Sequence, residues 1–236
     1  MWLGGTVRYG WMELPAEAVD VAARELLGWR LAANGVTVRL TEVEAYSGLG
    51  EDPASHAHRG VTNRNAVMFG PAGRLYVYQI YGMHFCANIV CGEPGRAAAV
   101  LLRAGEVVDG LELARSRRPA ARRDHDLAAG PAKLMQVLSL NRAANDTSVV
   151  DGTGPATLTP PAGRTGATVE TRTTGRPGAA AEPGAGSDAG RIEAGPRVGV
   201  TSAHDVPWRF WFAGDPTVSA YRRHTPGARR QRIRTP

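Results

Sequence analysis

Residues Val36 to Tyr46 alternate with the period of two that a β-strand imposes, and no other stretch limits the fold of this chain so strongly. Val36, Val38 and Leu40 share one face with Glu42, Glu44 and Tyr46, while Thr37, Arg39 and Thr41 share the other. A strand that begins apolar and ends acidic on one face passes from a core into a cleft. The alternative places Glu44 at a solvated strand end, paired with an arginine. Composition alone favours that second reading, because charged residues at strand ends are common.

A polar loop with His56, His58, Arg64 and Asn65 follows, and then a second strand-like run, Leu75 to Tyr81, rich in aromatic and aliphatic residues. Tyr76, Tyr78 and Ile80 face one way; Leu75, Val77, Gln79 and Tyr81 face the other. Gly82 permits a turn, and Phe85 to Val90 can pair back as a hairpin partner. Tyr81 then stands at or near the hairpin tip. A large ring there packs poorly but suits a wedge driven between stacked bases. Ordinary amphipathic strand tyrosines with satisfied hydroxyls are the plainer alternative.

Around this stretch the pattern is mixed. Pro15 to Gly28 reads as a helix, with Pro15 suited to the first turn, Val19, Ala22, Leu26 and Leu27 at core spacing, and Gly28 as its stop. Ala97 to Arg103 reads as a strand, and Glu106 to Arg118 and Pro131 to Leu140 as helices. The Gly130-Pro131 start of the last resembles a helix N-terminus that could meet a phosphate. From about residue 144 to 190 the composition turns to Ala, Gly, Thr, Pro and charge, which cannot repay the entropy of ordering. This segment is expected to be a flexible insertion with a short strand or two at its edges. Arg191 to Val200 and Trp208 to Phe212 return as strands. Residues 1–11 show no clear pattern and read as a ragged tail, and a basic, mobile tail starts at about 222. The expectation is one domain over residues 1–236; its 43% hydrophobic content can bury a substantial core.

No apolar run approaches the roughly 20 residues that span a bilayer, and the first residues lack a secretion signal. Cys86 and Cys91 lie on or beside one short strand, too close to staple distant parts of a fold, and read as reduced thiols of a cytoplasmic protein. The net charge is +6, and Lys133 is the only lysine. Arg115, Arg117, Arg118, Arg122 and Arg123 form one cluster and six arginines from Arg222 to Arg234 another. Clustered arginine suits phosphate contacts through its planar donor fork; a solvated, arginine-rich surface is the alternative.

Taken together, the motifs are more specific than any of them singly. Glu42-x-Glu44-Ala45-Tyr46, His56, Asn63-Arg64-Asn65-x-x-Met68-Phe69 and Leu75-Tyr76-Val77-Tyr78-x-x-Tyr81-Gly82-Met83-x-Phe85-Cys86-x-Asn88 resemble the alkyladenine (3-methyladenine) DNA glycosylase family. The resemblance continues through Val100 to Ala104, Gly130-Pro131-x-Lys133-Leu134, Arg197 to Val200 and Trp208 to Phe210, in the family's order, and covers about residues 12–143 and 191–221. One departure is a spacing from Tyr46 to His56 that is one residue longer than in vertebrate members.

The resemblance implies an α+β fold, a curved and mostly antiparallel sheet flanked by helices. It implies Glu44 as the general base that activates water, with Arg103 helping to hold that water. Tyr46, His56 and Tyr78 would be the walls around a flipped base, Tyr81 the wedge that fills the gap in the duplex, and Asn88 the pocket-floor residue that excludes unmodified guanine. The implied partner is double-stranded DNA with a damaged purine, bound by a monomer with no metal and no cofactor, at the nucleoid. Two other classes stand beside this one. His56-x-His58 with Cys86 and Cys91 could supply four zinc ligands, though the spacing is not a known zinc pattern. A damage-recognition module would keep the pocket and wedge without turnover; Glu44 together with Arg103 argues against it.

Overall fold

A computed structural model of the protein describes residues 9–48, 50–161, 190–221 and 223. It is an α+β fold built on an antiparallel sheet. In chain order its elements are α1 (Val19–Leu26), β1 (Arg30–Ala33), β2 (Val36–Tyr46), β3 (Leu75–Ile80), β4 (His84–Val90) and β5 (Ala99–Asp109). After them come α2 (Leu111–Arg117), α3 (Pro131–Val137), β6 (Ala156–Thr159), β7 (Ile192–Gly195) and β8 (Arg209–Phe212). Strands run in the order β3-β4-β5-β2-β1-β6, and β8 pairs with both β2 and β7. Strand β2 is the axis of this arrangement. β5 borders it along nearly its whole length, while on the other edge β1 takes its first half and β8 its second.

That double flanking decides the fate of the acidic end of β2. The whole run from Leu40 to Ala45 is buried, Glu42 and Glu44 completely. The reading of Glu44 as a solvated strand end is thereby overturned: β8 and the segment preceding it lie where solvent would have been. The ladder between β2 and β5 shifts register between Leu40 and Val43, and such irregularities bend a strand and increase its twist. At Gly105, on β5, an added Cβ would lie 2.3 Å from Val38 Cγ1 and 2.4 Å from the Arg39 carbonyl oxygen. A side chain there would force the two longest strands apart.

The core lies where α1 packs on β2 and α3 packs on β4 and β5. Val19, Ala22, Ala23 and Leu26 supply the α1 face, Leu31, Val38, Leu40 and Val43 the sheet, and Leu134, Met135 and Val137 the α3 face. α1 is shorter than expected. Its first turn, Ala16–Ala18, is 3-10, Leu27 is already extended, and Gly28 turns with positive φ to donate to the Leu40 carbonyl.

Four expectations need correction. β5 runs on to Asp109, so Glu106–Asp109 is strand, and the helix expected from Glu106 starts only at Leu111, after Gly110 turns with φ 74°. Pairing with β2 overrides the helical preference of that run. Arg191 to Val200 is strand only over Ile192–Gly195. Residues 9–11 are not a tail: Trp11 is buried and packs with Tyr9 and Trp29. α3 ends at Val137 rather than Leu140, with Ser139 in the left-handed region.

Ala144 and Val149 are buried, and β6 pairs with β1, so residues 144–161 of the low-complexity segment pack on the fold. The remainder of that expected insertion, 162–189, lies outside the described residues, as do 1–8 and nearly all of the basic tail. Cys86 and Cys91 are both free and buried, and burial pushes their thiols up to about 11 and about 12. Among the described residues no helix is long and apolar enough to cross a membrane.

Candidate functional site

The second half of β2 carries the chemistry. Glu44 Oε1 accepts from the Val198 backbone N–H at 2.7 Å and faces Arg103 Nη1 at 3.2 Å, and its Oε2 accepts from the Tyr46 hydroxyl at 2.8 Å. All three partners are donors, an arrangement that suits a carboxylate. A carboxylate offers about four acceptor positions. Among the described residues three are taken, and the position left lies on Oε2, beside Tyr46.

Glu44 and Tyr46 share a face because they stand two apart on a strand. Arg103 reaches them from β5, on the other side of the β2 ladder. Val198 arrives from the connection between β7 and β8, more than 150 residues along the chain.

Tyr78 and Cys86, opposed on β3 and β4, lie near enough to Glu44 to feel its charge. Burial first, then the neighbouring Glu44 carboxylate, lifts Tyr46 well above the usual phenol value. Burial first, then Cys86 and Glu44, does the same for Tyr78. Both rings therefore stay neutral through the physiological range. The His56 and Tyr78 rings meet edge to face at 4.7 Å, Tyr76 stacks on Tyr78 at 5.4 Å, and His56 Nδ1 lies 3.0 Å from the Tyr76 hydroxyl. Burial, helped by the Arg64 charge, holds His56 below its ordinary value, so it too is neutral at pH 7. The loop carrying it is pinned by Asn65, whose Nδ2 donates to the carbonyls of His56 and Gly60.

Asn88 is buried on β4, two residues from Cys86, and its Nδ2 donates to the Tyr76 carbonyl at 3.3 Å. Of the sequence-identified residues, Glu44, Tyr46, Tyr78 and Arg103 come together, and His56 and Asn88 join through Tyr76 and Tyr78. Tyr81 does not enter the cluster. It is 88% exposed at the turn joining β3 to β4, with Met83 beside it at 70%. Its φ is +50°, a left-handed conformation that costs an ordinary residue roughly 1–2 kcal/mol.

Three groups of the site carry no assigned role in the sequence, although Arg197 and Arg209 lie in segments that share the family resemblance. Arg197 is fully buried and holds Asp52 through paired bonds of 2.6 and 2.8 Å, donates to the Ala45 carbonyl, and lies 4.7 Å over the Tyr46 ring. Arg209 and Ser219 close around Glu42. Glu42 itself was visible only as the acidic neighbour of Glu44 on the same face. Tyr76, the third ring, was visible as a strand residue but carried no assigned role.

The arginine cluster on and after α2 is largely occupied within the protein. Arg115 pairs with Asp124 and Glu112, and Arg117 donates to the Val137 and Asn34 carbonyls. Arg118 donates to Gln136, and Arg123 pairs with Asp126. These four are poor candidates for phosphate contacts. The candidate zinc ligands do not assemble either: no group of three or more His, Cys, Asp or Glu side chains converges among the described residues.

Residues 13–216 match the family model described as methylpurine-DNA glycosylase. A Nocardia farcinica protein named "Putative 3-methyladenine DNA glycosylase" is 50% identical over 213 residues, covering 88% of this chain and 90% of that one. Proteins of the same name from Streptomyces avermitilis and Mycobacterium tuberculosis are 47% and 43% identical. They cover 90% and 87% of this chain, and 89% and 92% of their own lengths.

Proposed function

The chain belongs to the methylpurine-DNA glycosylase family, and from that premise we propose that it is a monofunctional DNA glycosylase of base excision repair. It hydrolyses the N-glycosidic bond of alkylated or deaminated purines in duplex DNA, acting as a monomer on a nucleotide flipped out of the stack. The observation that carries this reading is the buried Glu44 carboxylate, held by three donors beside a group of aromatic rings.

In the reaction, the bond from C1′ to the purine nitrogen breaks and its electron pair leaves with the base. An already cationic base, such as 7-methylguanine or 3-methyladenine, departs neutral. Water attacks C1′ as the sugar takes on oxocarbenium character, and its proton passes to Glu44. The products are the free base and an abasic site. The free acceptor position on Oε2 suits that water, and Arg103 fixes the carboxylate from its other oxygen. The same negative charge stabilises the developing positive sugar.

Tyr46 forms one wall of the base pocket and the His56–Tyr78 pair the other, with Asn88 at the floor reading the purine edge. Flipping costs a few kcal/mol, and stacking returns roughly 1–3 kcal/mol per ring. Neutral His56 suits this task, because a cationic ring would repel a cationic base. Tyr81 is the wedge, and its strained backbone is the cost of presenting a ring at the hairpin tip. Replacing Tyr81 by Gly is therefore expected to raise hairpin stability by about 1 kcal/mol, while weakening binding of a lesion duplex roughly 5- to 150-fold, the equivalent of one lost stacking contact. Thermal melting and fluorescence anisotropy measure the two arms; tighter binding by the glycine variant would remove the wedge role.

The test of the activity is single-turnover base release from duplexes that each carry one lesion: 3-methyladenine, 7-methylguanine, hypoxanthine or ethenoadenine. Release of at least one of these bases with the strand left intact supports the reading. A lyase step would need an amine nucleophile for a Schiff base. Borohydride is accordingly expected to trap no enzyme–DNA adduct. An efficient trap, abolished in Lys133→Ala, would make the enzyme bifunctional.

A further inference from the structure

The buried charges around Glu44 form a set of four. Arg103 donates from Nε to Glu42 Oε1 at 2.8 Å and places Nη1 on Glu44 at 3.2 Å. Arg209 Nε donates to the same Glu42 oxygen at 2.6 Å. The Ser219 backbone N–H donates to Glu42 Oε2 at 2.7 Å, and the Ser219 hydroxyl lies 3.0 Å from Oε1 and 3.2 Å from Arg103 Nη2. Glu42 and Glu44 are fully buried and the two arginines are 5% exposed. Two carboxylates and two guanidiniums thus cancel inside one wall of the site. The two carboxylates are not equivalent. Glu42 is held by four donors, two of them guanidiniums, with three on Oε1 and one on Oε2, whereas Glu44 has three donors and meets only one of the two guanidiniums.

We propose that Glu42 is a positioning residue for the reaction: it fixes Arg103 and offsets its charge, so that Glu44 keeps the basicity a general base needs. This rests on Glu44 being the base and adds what tunes it. With Glu42 neutral, Arg103 and Arg209 would place uncompensated positive charge beside Glu44. An opposite charge within about 4–6 Å lowers a carboxylate pKa by roughly 1–3 units, and a weaker base takes a proton from water less well.

Burial favours the neutral form of Glu42, but the Arg103 and Arg209 charges outweigh it and hold the carboxyl below its ordinary value. It therefore remains a fixed negative charge beside Arg103 and Arg209. The other groups facing Glu44 are Tyr46 from its own strand, Tyr78 from β3, Cys86 from β4, and Arg197 with Val198 from the connection before β8. Tyr46, Tyr78 and Cys86 are neutral below pH 8, and Arg197 is compensated by Asp52. His56 is engaged with Tyr76 and Tyr78. Among the described residues, the Glu42–Arg103–Arg209 set is what remains to set the balance of charge beside Glu44.

The experiment is the pH dependence of single-turnover release from a duplex carrying 7-methylguanine, whose leaving base is already cationic and needs no protonation. The wild-type rate should rise with pH along an acid limb that Glu44→Gln abolishes. In Glu42→Gln the limb should move to lower pH by about 1 unit, with a lower plateau. In Arg209→Gln, where negative charge is left in excess, it should move to higher pH by a similar amount. Circular dichroism establishes that each variant is folded at every pH used; if Glu42→Gln does not fold, the Arg209→Gln shift decides. A limb that stays in place while the rate falls makes the role purely structural and overturns the proposal. An acid limb missing from wild type, or surviving in Glu44→Gln, overturns the base assignment and the proposal with it.

Discussion

Replacing Glu44 by Gln should slow base release by about 10²–10⁴-fold, the usual worth of general-base assistance, while leaving affinity for a lesion duplex nearly unchanged. The amide keeps the shape of the carboxylate and still offers one oxygen. It cannot take a proton from water, and it removes the negative charge that meets the oxocarbenium-like sugar. Its NH₂ group must also face either the Tyr46 hydroxyl or the Val198 N–H, each of which now donates to Glu44. Tyr46 can rotate its hydroxyl hydrogen away, so the NH₂ should settle on that side and occupy the position proposed for the water. Base release under single-turnover conditions measures the loss, and anisotropy on the same duplex shows that binding survives. Equal rates for the two proteins would take Glu44 out of its role.

The largest effect on stability should come from Arg197. Its guanidinium is fully buried, bonded to Asp52 through two nitrogens, and stacked over Tyr46 and Trp208. Removing one partner of a buried pair typically costs about 3–5 kcal/mol, because the other charge is left uncompensated. For Arg197→Met that corresponds to a fall in melting temperature on the order of 10 °C. The double change Arg197→Met with Asp52→Leu should recover part of it, since the uncompensated charge is gone, while the Ser47 and Ala54 N–H groups and the Ala45 carbonyl lose the partners they have now. A single change that costs less than about 1 kcal/mol would show that Asp52 finds another partner. The pair also ties the loop after β2 to the chain before β8, on either side of Glu44 and Tyr46, so activity should fall in the single variant and stay low in the double, which regains stability without regaining the tie.

What could be read from the residues follows from how local each signal is. Strand β2 was found at its true bounds, because its alternation is a property of consecutive residues. The hairpin of β3 and β4 was legible from its aromatic alternation and Gly82, and Tyr81 does stand exposed at its tip. The antiparallel α+β fold was legible through the family resemblance, not through the pattern alone. The extension of β5 to Asp109 was not legible, since Glu106 to Arg118 is rich in helix formers and only the ladder to β2 holds its start extended. The site divides the same way. Glu44, Tyr46 and Tyr78 sit on strands whose faces could be counted. By contrast, Asp52 and Arg197 are separated by 145 residues, and Glu42 and Ser219 by 177. No local pattern announces such pairs. Composition misses the burial of Glu44 for the same reason: β8, which covers it, comes from the far end of the chain.

The most direct test is to incubate the protein in excess with a duplex carrying a single 7-methylguanine, and to identify the products by mass spectrometry and by gel electrophoresis before and after alkali. The expected result is free 7-methylguanine and an intact strand that breaks at the lesion only when alkali is added. Tight binding with no base released would contradict the glycosylase reading and leave a damage-recognition protein in its place.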